Sequence, residues 1–149
     1  MTVLFRFAIV FISIFILSTT HATDRSNDTI VLNDVTNTAV GFGALFSNNG
    51  DWNTALGHNA LYSNILGKHN TAVGFGALRS NTIASQNTAL GDRALYSNDL
   101  GEHNTAVGFG ALFSNNGGMN TALGHKALYS NTYGSANIAL GRSALYKNT

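Results

Sequence analysis

The chain has 149 residues, of which 10% are charged, with a formal net charge of +1 and no cysteine. That length suits one domain, and the missing cysteines exclude disulfides, thiol nucleophiles and thiolate metal sites together. The low, balanced charge leaves no basic footprint for nucleic acid or an anionic membrane, and no charge run that would act as an interaction tail.

Residues 1–22 read as a secretory signal peptide. Met1 to Arg6 carries one positive charge, Phe7 to Leu17 (FAIVFISIFIL) is an unbroken apolar run, and Ser18 to Ala22 is small and polar. The run is too short to cross a bilayer, which needs about 20 apolar residues, so cleavage after Ala22 is expected, leaving no membrane span and a secreted or surface-exposed product. The alternative is an uncleaved N-terminal anchor. A secreted chain without cysteine must draw its stability from stacking rather than crosslinks.

Residues 23–36 form a segment without repeats. Asn27-Asp28-Thr29 is a formal glycosylation acceptor, and Thr29-Ile30-Val31-Leu32 has strand character suited to covering the first coil of a stack.

From Asn37 to Thr149 one phrase, N-T-A-[V/L]-G-x-x-A-L-x-S-N, occurs seven times, starting at Asn37, Asn53, Asn70, Asn87, Asn104, Asn120 and Asn137. Steps of 16 or 17 residues are too short for independent domains, so the copies must stack to bury anything. The expected fold is an all-β, parallel β-solenoid (β-roll) of about seven coils, roughly 34 Å long at one strand spacing per coil. The alternative is a solenoid with one strand and one short helical turn, over A-L-x-S-N, in each coil.

Aligned as columns, the copies share Leu at position nine (Leu45 to Leu145), Val or Leu at position four (Val40 to Leu140) and Gly at position five (Gly41 to Gly141). Leu and Val/Leu read as core, and the glycine as a residue at positive φ or under close packing. Alternation along a strand then turns Thr38 and its equivalents inward with Val40. The alanines between them, Ala39, Ala55, Ala72, Ala89, Ala106, Ala122 and Ala139, are expected to face outward as a subunit-contact face, unless their invariance reflects repeat duplication alone. The asparagines at positions one and twelve read as stacked structural ladders.

Position ten holds Phe46, Tyr62, Arg79, Tyr96, Phe113, Tyr129 and Tyr146. On a strand these follow the buried leucine and point outward as a contact stripe; on a helical turn they tuck into the core. A longer period is also present, because copies one, three and five read V-G-F-G whereas the others place polar residues after L-G. The duplicated unit is therefore two coils.

Catalytic and metal chemistry is poorly served. Asp99, Glu102 and His103 share a loop but lack a third and fourth metal ligand, and His58 and His125 occupy equivalent corners four coils apart, about 19 Å at the strand spacing. G-F-G lacks the third glycine and the βαβ surroundings of a dinucleotide fingerprint. The residues imply no cofactor, no metal and no enzyme. Ice binding is the competing class, since a solenoid can align threonines on a flat face, but inward threonines and a single Thr per coil argue against it. The array ends within a phrase at Lys147-Asn148-Thr149, and an uncovered strand edge there invites pairing with a partner or a second copy.

The phrase N-T-A-[V/L]-G-x-x-A resembles the head repeat of YadA-like trimeric autotransporter adhesins, N-S-V-A-I-G-x-x-S-x-A, and related repeats of phage and viral fibre proteins. The resemblance covers Asn37 to Thr149, with a coil longer than that of the adhesin heads and without their heptad stalk or C-terminal barrel strands. It implies a left-handed parallel β-roll, assembly into a homotrimer, and adhesion to a host matrix protein, glycan or other surface.

Overall fold

The computed structural model describes Ile30–Val31 and residues 36–148. The expected signal peptide, the glycosylation triplet and most of segment 23–36 lie outside the described residues. Within them the fold is an all-β parallel solenoid of about seven turns, close to 17 residues per turn, with no helix.

One strand per coil carries the T-A-[V/L] or I-A-L triplet: β2 (Thr38–Val40), β3 (Thr54–Leu56), β4 (Thr71–Val73), β5 (Thr88–Leu90), β6 (Thr105–Val107), β8 (Thr121–Leu123) and β10 (Ile138–Leu140). They pair in parallel with like residues opposite like residues, Thr38 beside Thr54 beside Thr71 and onward. At the open edge of β2, β1 (Ile30–Val31) adds an antiparallel strand, which completes an eight-stranded sheet. A second side is formed by β7 (Ser114–Asn115), β9 (Ser130–Asn131) and β11 (Lys147–Asn148). In the earlier coils the corresponding residues keep the inter-coil bonds, such as Ser63 N–H to the Arg79 carbonyl at 3.0 Å. The A-L-x-S-N segment is a run of turns, so the alternative with a helical turn is excluded.

The strands face the opposite way from the sequence expectation. Ala39, Ala55, Ala72, Ala89, Ala106, Ala122 and Ala139 are buried, while the threonines and Val/Leu residues beside them are exposed or half-buried. The alanine column is core and cannot meet a neighbouring subunit. The reason is the narrowness of a coil this short. Leucine at position nine fills the centre, and opposite it the sheet has room only for a methyl group. A second alanine column, Ala60 to Ala127, packs beside it.

Each turn of the coil uses left-handed backbone. The position-five glycines have φ of 117–139°, and a Cβ on Gly91 would stand 2.6 Å from the carbonyl oxygen of Gly108, so conformation and close approach both demand glycine. Position seven is also left-handed: it is Gly in copies one, three and five and Asn59, Arg93, Lys126 or Ser143 in the others. The second glycine of G-F-G is thus a corner residue. More unusual, the buried leucine of every coil sits at φ 48–51°. A side chain there costs on the order of 1–2 kcal/mol, which the burial of about 1.5–3 kcal/mol per leucine offsets.

Both asparagine columns form the expected ladders, and every rung is closed. Asn87 Oδ1 accepts the backbone N–H of Asn104 at 2.9 Å, and Asn87 Nδ2 donates to the Gly101 carbonyl at 2.8 Å. In the position-twelve column Asn81 Nδ2 donates to Asn64 Oδ1 at 2.8 Å and to the Ala84 carbonyl at 2.8 Å. Among the described residues no buried side-chain nitrogen or oxygen lacks a partner. These bonds substitute for the water that a buried amide loses.

Candidate contact faces

The solvent side of the eight-stranded sheet carries two parallel columns. One is Thr38, Thr54, Thr71, Thr88, Thr105 and Thr121, ending in Ile138; the other is Val40, Leu56, Val73, Leu90, Val107, Leu123 and Leu140. Because the register is residue-for-residue, each column is straight. Leu56 is 47% exposed and Leu123 45% exposed, too much for core residues. Neither column contains a charged residue. The sequence held the signal for this orientation: positions three and eight are always Ala, whereas positions two and four admit exchange.

Position ten forms a continuous stack. Phe46 and Tyr62 have ring centroids 4.9 Å apart, Tyr96 and Phe113 5.1 Å, Phe113 and Tyr129 4.9 Å, and Tyr129 and Tyr146 5.1 Å, all nearly parallel. Arg79 fills the one non-aromatic rung, its guanidinium 5.4 Å from the Tyr62 ring and 5.7 Å from that of Tyr96. A planar cation stacks on aromatic faces and is attracted by their π-electrons. Since the ring faces meet one another along the axis, the stripe presents ring edges outward. It is half-buried through its own stacking, an outcome between the two sequence readings.

A second stack at position six was missed in the sequence, although aromatic residues recurring in one column at strand spacing imply it. Phe42 lies 5.4 Å from His58, His58 5.2 Å from Phe75, and Phe109 5.3 Å from His125. Asp92 interrupts it, and Arg93 covers Phe75 at 5.5 Å. At another corner Trp52 stacks on His69 at 4.8 Å, and Lys68 bonds Asp51 at 2.7 Å. Asp99 accepts a hydrogen bond from the Thr82 hydroxyl.

Among the described residues no three His, Asp or Glu side chains gather where they could hold a metal ion, and no helix is long and apolar enough to cross a membrane. Fold and faces together define a parallel β-solenoid of roughly 17-residue repeats, pinned by asparagine ladders, with a regular uncharged sheet face and stacked aromatic edges. Comparisons with known protein families, with curated proteins and with solved structures find no match.

Proposed function

We propose that this chain is a secreted or surface-exposed structural module, without catalytic activity, that binds an extended surface through the outer face of the eight-stranded sheet. The observation that carries this reading is the outward turn of the Thr and Val/Leu columns. They form an uncharged strip along the solenoid, larger than the scattered single apolar side chains that ordinary surfaces carry. The resemblance of the repeat to trimeric adhesin heads supports the same class of role, with a host matrix protein or glycan as ligand and a homotrimer as the assembly. The short apolar run at residues 7–17 supports export.

The test is binding of the purified chain to immobilised fibrillar collagen and to a glycan array, with molar mass followed by light scattering. Binding is expected, and it should be lost in the Leu56→Lys, Leu123→Lys variant while the circular dichroism spectrum stays the same. No binding to either surface, or equal binding by the variant, contradicts the reading. The outward threonines also favour a second reading, in which the surface is ice: the inward orientation that argued against it does not occur.

A further inference from the structure

We infer that the threonine column and the aliphatic column beside it form one ice-contacting site, centred on Thr71, Thr88 and Thr105 with Val73, Leu90 and Val107. The inference rests on the surface-binding reading above and names the occupant of that face.

Strand geometry sets the mesh. Neighbouring threonines are one strand spacing apart, about 4.8 Å, and each aliphatic side chain lies two residues further along, about 6.7 Å away. Each cell of that mesh therefore holds a hydroxyl, a methyl group and a branched alkyl group. The hydroxyl can join a hydrogen-bonded water layer, and the apolar groups restrict the orientation of the water over them. An ordered lattice rewards such a mixture, and repeat distances of this order match those of an ice surface. A charged group would bind its own water shell instead, and neither column contains one.

Rigidity is the second requirement. The backbone under the mesh is pinned from inside: Asn70, Asn87 and Asn104 immediately precede β4, β5 and β6, and each accepts or donates along the stack at 2.8–3.2 Å. Threonine is itself stiff at χ1. The surface is thus preorganised and needs no refolding to meet a rigid partner.

Area argues against a second copy of the chain as occupant. Seven strands at the strand spacing and two outward residues per strand make a strip of roughly 34 by 12 Å, on the order of 400 Å². A stable protein interface buries about 800 Å² on each partner. The strip cannot widen unbroken across the glycine corner, because position six carries Asp92 and Arg142. The position-ten stack is the weaker candidate for ice, since its ring edges stand beside the charged Arg79.

The experiment measures thermal hysteresis and inhibition of ice recrystallisation by the purified chain, by its Thr71→Lys, Thr88→Lys variant and by a Ser80→Lys control on a different side of the coil. The expected result is activity in the parent chain, loss in the threonine variant and retention in the control, with circular dichroism unchanged in all three. Absence of both activities in the parent, or their retention in the threonine variant, overturns the proposal. The collagen and glycan measurements separate the two levels: an ice-inactive chain that binds either surface through Leu56 and Leu123 overturns the ice assignment alone, and one that binds nothing overturns surface binding with it.

Discussion

Asparagine and leucine supply opposite halves of each coil's stability. Asn87 is fully buried, and its amide closes bonds to two different backbone groups. In Asn87→Ala the Gly101 carbonyl keeps its bond from Asn98 at 2.7 Å, but the Asn104 N–H loses its acceptor. An orphaned buried donor costs about 1–3 kcal/mol, so with the lost bonds the variant should lose about 2–3 kcal/mol. For an array of this size that corresponds to a fall of about 10 °C or more in the thermal midpoint. Leu95 offers a sharper test, because its φ of 51° matters as much as its volume. Leu95→Met keeps an unbranched Cβ and should cost less than about 1.5 kcal/mol. Leu95→Ile has the same volume but places a β-branched residue in the left-handed region, where it is a genuine outlier, and should add about 1–3 kcal/mol of backbone strain. Equal urea midpoints for the two variants would show that the backbone angle is not what selects leucine here. Little of this was legible in the sequence. The repeated Leu45 to Leu145 column announced core, but nothing in a leucine reports a positive φ.

The corners explain why the coils have two lengths. In copies one and five Asn48 and Asn115 donate to the carbonyl of a glycine two residues on, at 2.9 Å and 2.7 Å. In the coil of Asn98 the same bond reaches Gly101, three residues on, at 2.7 Å. The seventeenth residue is therefore an addition between the ladder asparagine and its acceptor, and it bulges into solvent, as the exposed Leu100 does. Deleting Leu100 should reproduce the shorter corner and leave the thermal midpoint within a few degrees of the parent, as expected of a surface change worth about 0.5 kcal/mol. Deleting Ala89 should instead remove the cooperative transition, because a one-residue shift exchanges the two faces of β5. The coil, its period and both asparagine ladders were readable from the repeat, since stacking forces like residues into contact. The facing of the strands was misjudged because it was anchored on residue size at Val40 and Leu56. The invariant alanine was the better anchor: in a narrow core the smallest residue faces the largest one.

At the scale of the molecule, stability should be a sum over coils and their contacts with neighbours, as in other one-dimensional arrays. The two-coil period tells which coils can be exchanged. Removing residues 70–103 joins His69 to Asn104 and places copy five against copy two. Position six then reads Phe42, His58, Phe109, His125, which preserves the aromatic alternation. Position ten reads Phe46, Tyr62, Phe113, Tyr129, Tyr146, which closes the stack without the arginine rung. Asn53 is followed by Asn104 and Asn64 by Asn115, so both ladders continue, and Gly57 meets Gly108 where it met Gly74. Every inter-coil contact type therefore survives, and only their number falls. The shortened chain should fold and unfold cooperatively, with the circular dichroism per residue unchanged, a lower thermal midpoint, and a long dimension shorter by about 10 Å in small-angle scattering. A chain that fails to fold after this excision would mean that some long-range feature of the seven-coil array, and not the neighbour contacts, holds the solenoid together.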